Sequence, residues 1–370
     1  MDAPADLTNW RRQPFNQWAF RNIPALIPVA EVPALGPTLV LAEAPADLSG
    51  FSLSTPKGPL SLEAVLGATA TDGVVVLKDG RVVFETYAHG LDAATPHILM
   101  SATKSVTGLL AGVLADRGEL DLAAPIETLV PETVDSPFAG ATLRDLIDMR
   151  GGVRLDLASQ EAYNNATHWE GVAAEGLRAF YAGLKGPPVA HGGPFAYVSA
   201  NTDLVGLAME RATGRGFADL LSELIWTPMG AEHDAFITTD GHGAARATGG
   251  LCATTRDFAR LGQRVLEGGA GVLPEAWLED IVHGGDARAW AEGEFAKGFP
   301  GMSMRYRSGW YVVDAPTPMI FAMGIHGQNL FVDRAAGLVV AKVSSQDDPT
   351  DPRAIGLTHR MVAELRRLLT

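Results

Sequence analysis

The sequence predicts an α+β fold in which an antiparallel sheet is flanked by helices and a mostly helical subdomain is inserted between two parts of the sheet. A β-hairpin precedes the helical middle of the chain, and three successive strands and a helix follow it. Strands and helices are therefore segregated, which is typical of antiparallel sheets and not of alternating βαβ units. We expect residues 1–98 with 305–370 to form the sheet domain and residues 99–304 to form the helical subdomain.

The hairpin and the first long helix follow from the spacing of apolar residues. Residues 73–77 and 81–85 are β-branched runs around a Lys-Asp-Gly turn, which predicts a hairpin. After Ser101, apolar residues recur at i, i+3, i+4, i+7 and i+8 from Val106, and Gly118 follows as a stop. This is the clearest helix in the chain.

The remaining predicted elements rest on weaker periodicity and on caps. Thr142 and Asp145 are spaced as a capping pair at a helix start. The other predicted elements are helices over residues 142–149, about 202–213 and about 352–369, and strands over 319–323, 330–332 and 338–343. We expect the polar segment 151–193 to form long loops near a site. The first 60 residues are expected to be an irregular arm anchored by aromatic side chains, namely Trp10, Phe15, Trp18 and Phe20.

Composition and charge exclude several classes of protein. The chain has 370 residues, of which 47% are hydrophobic and 19% charged, a balance typical of a folded enzyme. Its formal net charge of −14 makes nucleic acid or an anionic membrane surface an unfavourable partner. Cys252 stands alone, so no disulfide forms within the chain. Together with an N-terminus that lacks the pattern of a secretory signal, this predicts a cytoplasmic location.

Common catalytic motifs are absent, and one weaker pattern remains. No serine lies in Gly-x-Ser-x-Gly, no lysine directly follows a glycine, and no His-Glu-x-x-His pair occurs. Ser-x-x-Lys occurs twice. The copy from Ser54 to Lys57 lies among prolines and glycine, which prevent a helix from fixing the two side chains on one face. We interpret it as a loop coincidence.

The second copy, from Ser101 to Lys104, stands at the start of the predicted helix. Side chains at i and i+3 project from one face, so the lysine amine can approach the serine hydroxyl. A lysine whose pKa is lowered by burial can accept the serine proton, and the helix N-terminus offers N–H groups to an oxyanion. The alternative is an N-cap serine followed by a solvent-facing lysine.

Two further segments carry side chains suited to the same chemistry. Tyr197 precedes a predicted helix and offers a phenol to a proton relay, while Ser199 and Asn201 are placed to orient the lysine or bind a carbonyl. His326 and Gln328 lie beside glycines at a strand edge, where backbone N–H groups can approach a ligand. Taken singly, a structural tyrosine and a structural histidine are the commoner explanations of Tyr197 and His326.

Together these segments resemble the serine β-lactamase and penicillin-binding-protein superfamily, specifically its 6-aminohexanoate-dimer hydrolase branch. The resemblance covers nearly the whole chain and implies a β-lactamase/transpeptidase-like fold. Its segments are residues 15–20 (FNQWAF), 100–105 (MSATKS), 197–203 (YVSANTD), 248–250 (TGG) and 324–330 (GIHGQNL).

The resemblance also implies roles for individual residues. Ser101 would be the acylated nucleophile, Lys104 its proton acceptor and Tyr197 the phenol that passes the proton to the leaving group. The backbone N–H groups of Ser101 and Ile325 would form the oxyanion hole. The implied reaction is two-step acyl transfer without a metal or organic cofactor, and the implied partner is a small ester or amide.

Several positions depart from that branch of the superfamily. His326-Gly327-Gln328 stands where β-lactamases carry Lys-Thr-Gly, so the cation and hydroxyl that hold a lactam carboxylate are missing. The predicted substrate-binding residues are Ser199, Asn201, Thr248, Tyr311, His326 and Gln328. Of these, Thr248 replaces an asparagine and Tyr311 a gating tryptophan of the nylon-oligomer enzymes. Ser159 aligns with a tyrosine of those enzymes, for which Tyr163 is the alternative.

The sequence therefore predicts a cytoplasmic serine hydrolase of small esters or linear amides. One alternative is a peptidase of D-amino-acid peptides, a β-lactamase or a transesterase. A second alternative, from another class, is a non-catalytic ligand-binding module of the same fold. A homo-oligomer is compatible with the sequence, which does not decide the oligomeric state.

Overall fold

A computed structural model describes residues 5–171, 175–314 and 318–370 of the chain. The strands are β1 Val29–Val32, β2 Ala42–Glu43, β3 Thr71–Lys78, β4 Arg81–Tyr87, β5 His97–Ile98, β6 Ala235–Thr238, β7 Leu251–Ala253, β8 Met304–Arg307, β9 Trp310–Val313, β10 Met319–Gly324, β11 Gln328–Asp333 and β12 Leu338–Ser344. The helices are α1 Phe15–Ala19, α2 Leu62–Ala68, α3 Thr103–Asp116, α4 Leu143–Ile147, α5 Leu157–Ala166, α6 Leu177–Gly183, α7 Ser199–Thr213, α8 Phe217–Leu221, α9 Thr227–Met229, α10 Thr255–Leu266, α11 Glu275–His283, α12 Ala287–Ala291 and α13 Pro352–Leu369.

The strands form two sheets. The larger sheet has eight strands in the order β2-β4-β3-β12-β11-β10-β9-β8, and every neighbouring pair except β2 and β4 is antiparallel. The smaller sheet has the order β1-β6-β7-β5. The predicted α+β class, the hairpin of β3 and β4, and the three strands and helix that end the chain are confirmed.

Helix α3 passes through the centre of the molecule and is buried on all sides from Thr103 to Leu114. Two glycines allow this close packing. A Cβ on Gly108 would lie 1.8 Å from the Ser308 carbonyl oxygen, and one on Gly112 would lie 2.4 Å from the Trp277 ring. Because neither position has room for a side chain, the helix is held in one position against β8, β9 and α11.

The other predicted helices are present with small shifts of their ends. Helix α4 begins with the predicted capping box, in which Thr142 and Asp145 exchange hydrogen bonds. Helix α7 begins at Ser199, three residues before the expected start, and ends where Gly214 takes a left-handed conformation.

Two expectations are corrected by the structure. Residues 151–193 contain helices α5 and α6 and are not only loops. The spacing of apolar residues does not reveal α5, because Tyr163 and Ala166 are the only two buried residues of this helix. In the N-terminal arm, Trp10 and Phe20 are fully buried, but 43% of Trp18 is exposed. Trp18 therefore does not anchor the arm.

The division into a sheet domain and a helical subdomain stays a prediction. Helix α10 lies inside the range expected for the helical subdomain, yet it packs against the larger sheet. A Cβ on Gly262 would approach Val339 and Leu330 to 2.6 and 2.9 Å. No helix within the described ranges is long and apolar enough to cross a bilayer.

Candidate active site

Ser101 lies in a single 3-10 turn, Met100–Ala102, that leads into α3. The residue before it, Met100, has a φ of 48°. This left-handed backbone conformation is costly for a residue other than glycine. This turn directs the half-buried Ser101 away from the core and towards the cavities described below.

Lys104 is buried one turn further along, with only 1% of its surface exposed. Its Nζ donates to the Ser101 Oγ and to the Thr248 carbonyl oxygen, each at 3.0 Å. Burial lowers the pKa of the amine to about 7, although the negative charge of Asp203 acts in the opposite direction. The alternative of an N-cap serine with a solvent-facing lysine is excluded, because the N-cap of α3 is Ala102 and the lysine is buried.

Tyr197 approaches the same pair from the segment before α7. The Lys104 Nζ lies 4.7 Å from the centre of its ring. Burial raises the pKa of the phenol, and an interaction with the Ser101 hydroxyl opposes this shift. The ring is stacked on Phe295 at 4.9 Å, and the Tyr197 N–H donates to the Glu294 Oε1 at 2.8 Å. These contacts fix the phenol beside Ser101.

The end of β10 completes the surroundings of Ser101. A Cβ on Gly324 would lie 3.0 Å from the Ser101 backbone nitrogen and 2.6 Å from the Leu99 carbonyl oxygen. Glycine therefore permits β10 to end directly against the turn that carries Ser101. Ile325 follows and lines both cavities at this point.

Ser101 and Tyr197 stand between two cavities. The larger, of about 510 Å³, is bounded by residues on both sides of α5 and by the segment before β7. The smaller, of about 80 Å³, is largely apolar and is lined by side chains that include Phe295, Tyr311 and Met323. A substrate whose scissile carbonyl lies at Ser101 can extend into both.

Asp203 links Lys104 to a buried polar layer behind it. Its Oδ1 accepts the Thr248 N–H at 2.8 Å, and its Oδ2 accepts the Tyr163 hydroxyl at 2.5 Å. Because the Thr248 carbonyl accepts from Lys104, the carboxylate holds the peptide that orients the amine. Burial raises the pKa of Asp203, and the positive charge of Arg246 opposes that shift.

Three of the six predicted substrate-binding residues line a cavity. Ser199 and Thr248 line the larger one and Tyr311 the smaller one. Asn201 is fully buried, does not line either cavity, and its nearest hydrogen-bond partner is the Met149 Sδ at 3.9 Å. It is therefore not placed to contact a substrate.

The expected substrate contacts of His326 and Gln328 are also corrected. The His326 Nδ1 is bonded to the Gln346 carbonyl at 2.6 Å, and burial lowers the pKa of its imidazole to about 4. Gln328 is fully buried and exchanges hydrogen bonds with the backbone of Ser344. Both side chains tie β11 to the end of β12 and lie outside the cavity walls.

Of the two candidates on α5, Tyr163 lines the larger cavity and Ser159 does not. The Ser159 N–H instead donates to the Asp156 carboxylate, the N-cap of α5, at 2.8 Å. The loop copy of Ser-x-x-Lys, Ser54 to Lys57, likewise lies outside both cavities, in a turn closed by hydrogen bonds between Thr55 and Gly58.

Sequence reasoning missed Arg246 and the role of Asp203. Arg246 lines the larger cavity two residues before Thr248, and its guanidinium stacks on Trp169 at 4.6 Å. The sequence offers one signal at both positions, a charged residue among apolar or small neighbours. Within the described ranges, no group of three or more His, Cys, Asp or Glu side chains is arranged to hold a metal ion.

A sheet packed with helices and a buried Ser-x-x-Lys pair at their junction define a class, the serine hydrolases of β-lactamase type. The chain belongs to the β-lactamase family, whose model matches residues 61–364. It is therefore a serine hydrolase from a superfamily that acts on amides and esters.

Individual proteins are similar to this chain over most of its length. A 6-aminohexanoate-dimer hydrolase from Paenarthrobacter ureafaciens is 32% identical over 98% of this chain and 94% of its own. The structure of a candidate 6-aminohexanoate-dimer hydrolase from Bacillus anthracis is 25% identical and superimposes with a TM-score of 0.86 over 99% of this chain and 98% of that one. A candidate β-lactamase from Bacteroides dorei, 21% identical, shares the fold with a TM-score of 0.63 over 82% of this chain and 97% of that one.

Proposed function

We propose that the protein is a carboxylesterase and amidase that cleaves small esters or linear amides through an acyl-enzyme on Ser101. The observation that carries the proposal is the contact between the buried Lys104 amine and the Ser101 hydroxyl at 3.0 Å, with the Tyr197 phenol beside them. A lysine with a pKa near 7 is neutral often enough at neutral pH to accept a proton.

In the first half-reaction, the Ser101 Oγ attacks the carbonyl carbon and its proton passes to the Lys104 Nζ. The carbonyl oxygen becomes an oxyanion, stabilised by the backbone N–H groups of Ser101 and Ile325. The carbon–heteroatom bond then breaks. The Tyr197 phenol gives its proton to the departing alcohol or amine and takes the proton held by the Lys104 Nζ, so both groups return to their starting state. Water attacks the acyl-enzyme in the second half-reaction, gives its proton back through the same groups, and releases the acid.

The nature of the leaving group favours esters. An amine is a poorer leaving group than an alcohol and needs its proton earlier, so amide cleavage depends more on assistance from residues around the larger cavity. Thr248 and Tyr163 line that cavity, and the Tyr163 hydroxyl already donates a hydrogen bond to Asp203. The similarity to a 6-aminohexanoate-dimer hydrolase supports testing linear amides as well.

The proposal is tested with four substrates at equal concentration: 4-nitrophenyl butyrate, the linear 6-aminohexanoate dimer, nitrocefin and a D-alanyl dipeptide. We expect turnover of the butyrate, slower turnover of the dimer and little of nitrocefin, because His326 and Gln328 are committed to structural hydrogen bonds. Ser101→Ala is expected to abolish all turnover. Preferred cleavage of nitrocefin or the D-alanyl peptide would replace the proposal with the corresponding alternative, and absence of turnover would favour the binding module.

A further inference from the structure

Arg246, a cation on the wall of the larger cavity, forms no ion pair with any carboxylate in the part of the chain that the structure describes. Arg246 is 9% exposed and lines the cavity wall. Of its five N–H donors, one makes a long hydrogen bond, from Nη1 to the Thr167 carbonyl at 3.4 Å, and the buried Nε has no partner. Buried arginines normally have their donors satisfied, since an uncompensated charge is costly away from water.

The carboxylate that attracts Arg246 already accepts hydrogen bonds from other groups. Asp203 attracts Arg246 electrostatically, but its two oxygens accept from the Thr248 N–H and the Tyr163 hydroxyl. Two residues further along the chain, the buried Thr248 Oγ1 also has no hydrogen-bond partner among the described residues. An unused donor of a cation and an unused donor of a hydroxyl therefore belong to two residues that line the same cavity.

The guanidinium is held in a fixed orientation. It stacks on the Trp169 ring at 4.6 Å, and the Arg11 guanidinium lies against the same ring at 4.3 Å. Arg11 is paired with Glu170 at 3.1 Å, whereas Arg246 has no such pair. A planar guanidinium fixed by stacking, with free donors on its edge, is suited to a carboxylate.

The position of Arg246 relative to Ser101 sets the length of the ligand. The Thr248 carbonyl and the Ser101 Oγ each lie 3.0 Å from the Lys104 Nζ, so they are at most about 6 Å apart. The chain turns between Arg246 and Gly250, whose N–H donates to the Arg246 carbonyl oxygen at 2.9 Å, so the two residues from Thr248 back to Arg246 add at most roughly 7 Å. A carboxylate a few bonds from the scissile carbonyl therefore spans the distance from Ser101 to this wall.

We propose that Arg246 and Thr248 form a carboxylate-binding subsite, and that the preferred substrates are esters or amides carrying a carboxylate on the half that occupies the larger cavity. The inference rests on the proposed function, because it assigns the substrate class of the same site. It also explains why a protein with a net charge of −14 keeps an arginine without a counter-ion beside its reactive serine.

The test compares charged and neutral substrates of similar size at pH 9, above the Lys104 pKa of about 7. Mono-4-nitrophenyl glutarate carries the carboxylate on the acyl half and 4-carboxyphenyl butyrate carries it on the leaving group, while 4-nitrophenyl butyrate and phenyl butyrate are the neutral references. We expect one charged substrate to exceed its reference in kcat/KM by at least tenfold, and Arg246→Gln to remove that preference. Arg246→Lys should retain part of it.

Arg154→Gln is the matched control, since Arg154 lines the same cavity but its side chain is 71% exposed and faces Glu294. We expect it to change the preference less than twofold. The ratio of two substrates on one variant removes general losses of activity. Equal ratios in the wild type and Arg246→Gln, with the neutral ester still cleaved at Ser101, would overturn the subsite and leave the proposed function intact.

A binding measurement separates the two proposals further. Titration calorimetry of glutarate into Ser101→Ala should give heat of binding that Arg246→Gln, added to Ser101→Ala, removes. Binding that depends on Arg246, together with no turnover of any of these esters by the wild type, would support the subsite and overturn the hydrolase. Absence of glutarate binding to Ser101→Ala, with no charged substrate preferred, would overturn the subsite.

Discussion

The protonation state of Lys104 results from three influences of different sign. Burial lowers the pKa of the amine, Asp203 raises it and Arg246 lowers it again. Their balance leaves the amine with a pKa of about 7, against an ordinary value of 10.5. A fully exposed lysine would be almost entirely protonated at neutral pH and could not accept the Ser101 proton.

Loss of either partner of Ser101 should slow acylation while leaving the fold intact. Lys104→Ala and Tyr197→Phe are each expected to lower the acylation rate by at least the roughly hundredfold typical of a lost general acid–base group. Stopped-flow measurement of the 4-nitrophenol burst gives this rate directly. A variant that acylates at nearly the wild-type rate, with unchanged circular dichroism, would remove the role assigned to its residue.

The pH dependence should follow the charges around Lys104. Since the proposed mechanism needs the neutral amine, kcat/KM for 4-nitrophenyl butyrate should rise with pH through a midpoint near 7. Asp203→Asn removes the influence that raises the pKa, so the rising limb should move to lower pH. Arg246→Gln removes one that lowers the pKa, so the limb should move to higher pH.

These opposite shifts are measured as full pH profiles with the neutral ester, which avoids any effect of substrate charge. Asp203→Asn keeps an oxygen that can accept the Thr248 N–H, and so isolates the charge from the hydrogen bond. Movement of both limbs in the same direction would contradict the assignment of the limb to Lys104.

At the scale of secondary structure, the site depends on how closely β10 approaches the turn before α3. The φ of Gly324 is −126°, which any residue adopts, so its requirement for glycine is steric. A Cβ would contact two backbone atoms and the Met100 Cβ, none of which can move aside as the end of a flexible side chain can. The strand end and the turn must then separate.

Gly324→Ala should therefore displace Ile325 from Ser101. We expect at least a tenfold fall in kcat/KM, because the proposed oxyanion hole needs both N–H groups in place, together with lower stability. Gly67→Ala is the control: Gly67 lies in α2 with nothing near its Cβ position, so alanine should be neutral or stabilise by up to about 1 kcal/mol. Urea denaturation and kinetics on both variants check this, and full activity of Gly324→Ala would contradict it.

The elements predicted from sequence are those whose apolar spacing matches their burial. The β3–β4 hairpin, α3 and α13 were predicted for that reason. The hairpin of β8 and β9 was missed because Arg305 and Arg307 make its first strand look like a polar loop. Arg305 is paired with Asp314, and Arg307 with Asp148 and Asp280. The partners of Arg307 lie 159 and 27 residues away in the sequence and leave no local pattern.

The distance in sequence between contacting residues also decides which parts of the candidate site could be predicted. Ser101 and Lys104 are one helical turn apart, so their contact was predictable from local geometry, and Tyr197 was found through its motif. The structural roles of His326 and Gln328 depend on Gln346 and Ser344, which reach them through β12. Such partners become visible only when the sheet is assembled.

At the scale of the whole molecule, the N-terminal arm joins the cavity wall to the larger sheet. Trp10 packs edge-on against Trp169 at 5.2 Å, and Trp169 lines the larger cavity. Further along, Asn16 donates to the Ser345 and Gln346 carbonyls at 3.1 and 3.2 Å. The arm therefore supports the wall that contains Arg246 while being attached beyond the end of β12.

Removal of the buried Trp10 ring should lower the stability of the fold and weaken substrate binding at the site. Trp10→Ala is expected to cost about 3–5 kcal/mol of unfolding free energy, as for other buried aromatic truncations, and to raise KM by releasing Trp169. Trp18→Ala, at an exposed position of the same arm, should cost no more than about 0.5 kcal/mol. Equal losses for the two variants in urea denaturation would contradict the described role of the arm.

The central claim is that Ser101 becomes covalently acylated with Lys104 as its proton acceptor. It is tested most directly by reacting the protein with a fluorophosphonate at pH 8 and locating the adduct by peptide mass spectrometry. We expect a single adduct on the peptide containing Ser101, no adduct in Ser101→Ala, and labelling slowed at least about a hundredfold in Lys104→Ala. An adduct on another residue, or equal labelling rates with and without Lys104, would contradict the account.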